Sequence, residues 1–218
     1  MEAKVKRALV FGSVPCEDWS FLRDYATDGC PVFCADGGVK NAAAAGFCPD
    51  FVVGDWDSGG APLDGVPSVS LPAEKDMTDL QAALYHAQKA GCTEFLICGC
   101  LGGPRLDHTA FNLVILEWLA SRGGNGILLD EDNEVRLMVE NTSLCFDEQA
   151  PRYHYFSLVP LDRTVTGVTL KGAKYPLTDA VLTRGDTLSV SNEPGTGPLH
   201  IQIGTGRALL IRSQRNRI

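Results

Sequence analysis

Short apolar runs alternate with helical periods through the first part of this chain, and after Asp132 the helical period stops. The runs are residues 8–11, 32–35, 51–53, 95–98 and 127–129. Strands covered on both faces read this way, because neither face meets water. Between them Leu80, Ala83, Leu84 and Ala87 form one apolar stripe at helical spacing. A helix is expected to begin near Val39. Another should run from about His108 to Ser121, apolar on most sides and so well buried, with Gly123-Gly124 ending it. Alternation of this kind predicts an α/β domain, a mainly parallel sheet with helices on both faces.

Beyond Asp132 the texture is that of strands alone. Residues 134–139, 143–146, 153–159, 165–170, 187–190, 200–203 and 208–211 are rich in Thr, Val and Tyr. Turns such as Lys171-Gly172, Arg184-Gly185-Asp186 and Gly204-Thr205-Gly206 separate them. The expectation is a second, all-β domain built as a small sandwich, with the boundary between residues 130 and 140. The division is residues 1–132 for the α/β domain and 133–218 for the β domain.

Composition narrows the function. A chain of 218 residues has room for two modest cores. Its net charge of −8 argues against a nucleic-acid surface, which needs clustered Lys and Arg. The eight cysteines include Cys34, Cys98, Cys100 and Cys145 inside apolar runs and no zinc-type CxxC pair. There is no 18-residue apolar stretch and no secretory leader pattern. A reduced, cytoplasmic enzyme that meets neither membrane nor nucleic acid is expected.

The chemistry collects where strands end. Open α/β sheets bind ligands beyond the carboxyl ends of their strands, and Asp36, Asp55, Asp57, Asp79 and Asp107 fall there. Gathered carboxylates repel one another and any phosphate unless a cation joins them, so the pattern asks for Mg²⁺ and a polyphosphate. Asp36-Gly37-Gly38 lets backbone approach an anion closely, although a capped strand-to-helix turn would look the same. Gly54-Asp55-Trp56-Asp57-Ser58 can turn two carboxylates toward one metal, where an ordinary acidic turn is the plainer alternative. In Lys75-Asp76-Met77-Thr78-Asp79, Asp76 suits a helix N-cap, and Lys75 suits a phosphate clamp. In Gly102-Gly103-Pro104-Arg105-Leu106-Asp107-His108, Arg105 can fork onto phosphate oxygens. Asp107 can cap or coordinate there, and His108 can donate to a ligand. Asn112 needs a polar partner in an apolar helix.

Together these four loops resemble the signatures of the thiamine pyrophosphokinase family, in the family's order. Ser191-Asn192-Glu193, following Gly185-Asp186-Thr187-Leu188, is similar to the family's thiamine-site stretch. Trp56 replaces a usual phenylalanine, and Pro104 lengthens the GGRxDH loop by one residue. The resemblance implies a two-domain homodimer that moves pyrophosphate from ATP to the hydroxyl of thiamine, releasing AMP. It implies that Asp55, Asp57 and Asp79 hold Mg²⁺, with Asp36 and Asp107 completing the catalytic acidic site. Gly37, Gly38, Lys75, Gly102, Gly103, Arg105 and His108 would then surround the ATP phosphates. Ser191 and Asn192 would hydrogen-bond the aminopyrimidine of thiamine. Another Mg²⁺-dependent phosphotransferase or phosphohydrolase with an Asp-x-Asp loop, or a non-catalytic nucleotide sensor, is the alternative.

Overall fold

The structure, a computed structural model, describes residues 6–55, 62–72, 76–147 and 152–214. The chain divides into two compact units, Met1–Glu131 and Asp132–Ile218.

In the first unit the apolar runs become β1 (Arg7–Phe11), β2 (Val32–Ala35), β3 (Phe51–Gly54), β5 (Glu94–Cys98) and β6 (Asn125–Leu129). A strand absent from the sequence reading, β4 (Ser68–Ser70), pairs with β3. These six strands lie in the order β4-β3-β2-β1-β5-β6, and every pairing is parallel. The chain therefore works outward from β1 to β4, then returns to place β5 on the other side of β1.

Successive side chains along a strand face opposite ways, and the core follows that period. Leu9, Phe11, Val32, Cys34, Val52, Leu96 and Cys98 form one buried face together with Ala42 of α1 (Gly38–Ala44) and Phe21. The opposite face meets α2 (Asp79–Lys89), where the Phe51 ring lies 4.9 Å from that of His86. The same face meets α3 (Leu106–Ala120), whose Leu116 and Leu119 fill the space above Gly126. In α2 the expected stripe of Leu80, Ala83, Leu84 and Ala87 is buried.

Two local expectations are corrected. The N-cap of α2 is Thr78, whose hydroxyl accepts the Gln81 N–H at 3.2 Å, rather than Asp76. Helix α3 buries only the stripe of Asn112, Ile115, Leu116 and Leu119, while Leu106 and Phe111 are exposed. A helix packed against one layer of sheet has one face to bury, whatever its composition.

The second unit contains no helix among its described residues. Its β7 (Asn133–Met138), β9 (Tyr155–Pro160) and β13 (Ala208–Ser213) pair antiparallel in the order β7-β13-β9. A four-stranded sheet runs β11-β10-β12-β8, from β8 (Ser143–Phe146), β10 (Thr164–Lys171), β11 (Leu177–Thr183) and β12 (Leu199–Gln202). Side chains of both sheets, Met138, Phe156, Leu158 and Leu210 with Val165, Leu170, Leu182 and Ile201, bury one shared cluster. Residues 187–190, expected as a strand, form a turn instead. There Val190 N–H bonds Thr187 O, and the Ser189 hydroxyl donates to Leu158 O at 2.7 Å, so these groups are satisfied without a ladder.

The start of α1 is pressed onto the end of β1. A Cβ on Gly38 would lie 2.0 Å from the Phe11 carbonyl oxygen, a backbone atom with no room to yield. Gly38→Ala is therefore expected to destabilise the protein by about 3 kcal/mol in urea unfolding. A loss below about 0.5 kcal/mol, within the range of neutral surface changes, would contradict this packing.

Candidate active site

The direction of travel across the sheet reverses between β1 and β5, and at such a switch point the two loops leave their strands in opposite directions and open a crevice. A cavity of about 370 Å³ lies there. Residues 12–15 after β1, Asp36 after β2, Thr78 and Asp79 at the start of α2, and the Gly102-Gly103-Pro104-Arg105 loop after β5 line it, with His108 and Asn112 of α3.

Asp36 is the most informative of these side chains. It is only 5% exposed, and its Oδ1 has no hydrogen-bond partner. Its backbone takes the left-handed conformation, φ +47°, which Asp tolerates better than most residues. The strain is held by its N–H, which donates to Val53 O at 2.6 Å and ties the end of β2 to β3. It does not cap α1, whose N-cap is Gly37 with no side-chain bond. A buried carboxylate oxygen left without a donor is costly, and a water, a proton or a cation can each remove that cost.

Asp79 opens α2, where the helix dipole favours negative charge, and it reaches the same cavity. Asp55 follows β3 by one residue but is not among the residues lining the cavity. Asp57 and Lys75, with Trp56 and Ser58, lie outside the described residues. Among the described residues no three His, Cys, Asp or Glu side chains gather as a metal site. Cys100 also lines the cavity, but burial, and then Asp130, push its thiol well up and keep it neutral.

The loop after β5 is fastened from α3. The Thr109 hydroxyl donates to Gly102 O at 2.8 Å, and the Asn112 amide donates to Cys100 O at 2.8 Å, which supplies the polar partner Asn112 needs. Gly102 and Gly103 both take positive φ, so this turn can be made without strain. Arg105 reaches the cavity, yet its fork is engaged by Asp107, with Nε and Nη2 donating to the two carboxylate oxygens at 2.9 and 2.7 Å. Both side chains are well exposed, so water screens the pair and a phosphate can exchange for the carboxylate. Asp107 itself, Gly37 and Gly38 are not among the residues lining the cavity.

In the second unit Ser191 sits at φ +55° and is exposed, while Asn192 is buried. The Asn192 amide is turned onto backbone. Its Oδ1 accepts from Tyr175 N–H at 3.1 Å, and its Nδ2 donates to Tyr175 O at 2.7 Å. The Tyr175 ring is left exposed beside Lys174, which pairs with Glu193 at 2.7 Å. A cavity of about 460 Å³ nearby is lined by Phe146, Tyr153, Glu193 and Arg212, and the Arg212 guanidinium lies 4.1 and 4.5 Å from the two rings.

Sequence reading passed over residues 12–15, which line the cavity, and the exposed ring of Tyr175. The short loop after β1 carries no charged residue, and an aromatic ring in a β domain reads as core. The clue to Tyr175 was its place between Lys174 and Pro176, in a stretch too polar for a buried strand.

Comparison with known proteins places both units. Residues 23–127 match the family described as thiamin pyrophosphokinase, catalytic domain, and residues 142–207 match thiamin pyrophosphokinase, vitamin B1 binding domain. A thiamine pyrophosphokinase of Bacillus subtilis is 30% identical over 185 residues, covering 82% of this chain and 85% of that protein. The crystal structure of thiamin pyrophosphokinase from Geobacillus thermodenitrificans superposes with a TM-score of 0.81 at 30% identity, over 97% of this chain and 99% of the other. That of the Bacillus subtilis protein has a TM-score of 0.85 at 24% identity, over 97% and 100%, and speaks for the fold.

The Arg105–Asp107 pair has a titration signature. Hydrogen bonds from Arg105 hold the Asp107 carboxyl well below the usual carboxylate range. The folded state thus binds this proton less readily than the unfolded chain. The pair's small contribution to stability is complete above the unfolded value of about 3.9 and is lost as pH falls through the lower folded value. By carbon-13 NMR, Asp107 should titrate below the ordinary aspartates, and Arg105→Ala should return it to their range. Ordinary titration in the unaltered protein would show that the pair does not form.

Proposed function

The chain belongs to the thiamin pyrophosphokinase family, and we infer that it transfers pyrophosphate from ATP to the hydroxyl of thiamine, giving thiamine diphosphate and AMP. The observation that carries this is the presence, on one chain and in order, of both the catalytic and the vitamin B1 binding parts of the family.

The strand-end cavity is our ATP site. Its residues fit Mg²⁺, because the buried Oδ1 of Asp36 has no protein donor and Asp79 supplies a second hard oxygen ligand nearby. Mg²⁺ takes one or two carboxylates and fills its shell with water and phosphate oxygens, so three clustered ligands are not required. Asp55 and Asp57 complete the set in our reading, with Asp79 and Asp36. Mg²⁺ held by these residues would offset charge on the phosphates and so favour a transition state in which negative charge is redistributed.

The chain's own residues do the rest by positioning. Arg105, released from Asp107, forks onto phosphate oxygens, with Lys75 and His108 as further donors. Gly102 and Gly103 let backbone come close, while Gly37 and Gly38 bring the Asp36 turn against β1. Attack on the β-phosphorus by the thiamine hydroxyl then expels AMP. A carboxylate of the acidic group can receive the hydroxyl proton, although a loose transition state draws little help from a base.

The second unit is our thiamine-binding and dimerisation domain, read as a β sandwich. Tyr175 offers an exposed ring to a flat heteroaromatic cation such as thiamine. Ser191, exposed and next in the chain to Asn192, is read as a further polar contact for thiamine, and Asn192 acts by holding the Tyr175 backbone. A homodimer in the cytoplasm completes the reading, which sedimentation and fractionation test. The thiols of all eight cysteines are unlinked, as a reducing compartment requires. Among the described residues no helix is long and apolar enough to cross a membrane.

Two measurements follow. With ATP, Mg²⁺ and thiamine, phosphorus NMR should show AMP and thiamine diphosphate in equal amounts, and AMP only when thiamine is present. ADP as product, or loss of ATP without thiamine, would instead favour a phosphohydrolase or another phosphotransferase. Asn192→Ala removes both amide bonds to the Tyr175 backbone and should raise KM for thiamine about tenfold or more, leaving KM for ATP unchanged. Equal effects on both substrates would remove Asn192 from the thiamine end.

A further inference from the structure

We propose that Ser13 is a phosphate-binding residue of the strand-end cavity, and that Asn41 is the positioning residue that holds it there. The inference rests on that cavity being the ATP site.

Ser13 lies in the loop that leaves β1 and lines the cavity. Its neighbours are fastened on every side. Gly12 N–H donates to Cys98 O at 2.8 Å and Val14 N–H donates to Gly99 O at 2.9 Å, which joins the loop to the end of β5. The remaining two carbonyls, Gly12 O and Val14 O, accept the two Nδ2 protons of Asn41 at 2.7 and 2.8 Å. Asn41 is 7% exposed, so these bonds are sheltered from competing water. Only glycine permits the arrangement, since a Cβ on Gly12 would lie 2.5 Å from Gly99 O.

Within this fastened loop the donors of Ser13 itself are unused. Neither its N–H nor its hydroxyl has a hydrogen-bond partner among the described residues, and the residue is exposed to the cavity. A loop held at four points around two unpaired donors is preorganised for an acceptor, because little further ordering of its backbone is needed on binding. Position decides which acceptor. Ser13 sits against the Asp36 turn, where a Cβ on Gly37 would come within 3.2 Å of the Ser13 Cβ. The anionic oxygens of a phosphate held in this cavity would meet both donors beside the Asp36 turn.

Asn41 reaches this loop from α1, the helix that follows the Asp36 turn. One amide thus fixes the Ser13 donors relative to the Asp36 carboxylate. Asparagine suits the role because it supplies two protons from one nitrogen. Aspartate of the same shape would set oxygen against two carbonyls.

The test is calorimetric binding of Mg²⁺·ATP and of Mg²⁺·tripolyphosphate to the full chain, with KM for each substrate measured alongside. Ser13→Ala should weaken both polyphosphates about five- to tenfold, raise KM for ATP and leave KM for thiamine unchanged. Asn41→Ala should weaken them further, since it loosens the N–H as well as the hydroxyl. Asn41→Asp should resemble Asn41→Ala despite its shape. Should the Asn41 variants fail to fold, Ser13→Ala alone decides. If it binds both polyphosphates as the unaltered protein does, or loses only ATP and not tripolyphosphate, the inference is overturned while the ATP site stands. An unaltered protein that binds neither polyphosphate would reject the ATP site and this inference together.

Discussion

Parallel pairing of β1 with β2 on one side and β5 on the other makes every strand of the first unit end at the same edge. Polar loops are thereby forced together around a crevice that the sheet itself cannot fill, because neighbouring connections diverge there. The close approach of β1, β5 and α1 depends on this register. So does the placing of Asp36, whose N–H is anchored on β3. A one-residue slip in any of these parallel pairs would exchange the two buried faces and dismantle the cavity.

The crevice is built around unequal treatment of charge. Asp107 has a partner in Arg105, and both are well exposed, so their attraction is weak and reversible. Asp36 is buried with one oxygen unmatched, a cost the fold carries through fixed backbone geometry. The first arrangement suits a group that must change partners when phosphate arrives. The second suits a permanent demand for positive charge.

Much of the first unit was legible because buried parallel strands leave a distinct trace, short and apolar throughout. β4 was missed since its three residues include two serines and lie at the sheet edge. In the second unit β11 was hidden by Asp179 and Ala180, which break the alternation of Leu177–Thr183. Residues 187–190 have strand-forming composition, yet side-chain bonding from Ser189 serves them better as a turn. For the site, Asp36, Asp79, Arg105 and the loop glycines stood out as charges or breakers at strand ends. Ser13 and Asn41 did not, because their significance lies in contacts between segments far apart in sequence, and single residues of ordinary type carry no local mark of that. Asn192 was legible as important, but its direction, inward onto Tyr175, required the folded geometry.

The central claim is that the unmatched carboxylate oxygen of Asp36 is the point on which cation and polyphosphate assemble. A crystal structure with Mn²⁺ in place of Mg²⁺ and a non-hydrolysable ATP analogue tests it, because anomalous scattering locates the metal independently of the protein. The account predicts a metal peak about 2.1 Å from Asp36 Oδ1, or one bridging water away, with the analogue's phosphates in the crevice between β1 and β5. A metal and polyphosphate bound elsewhere, with Asp36 Oδ1 still unmatched, would contradict it.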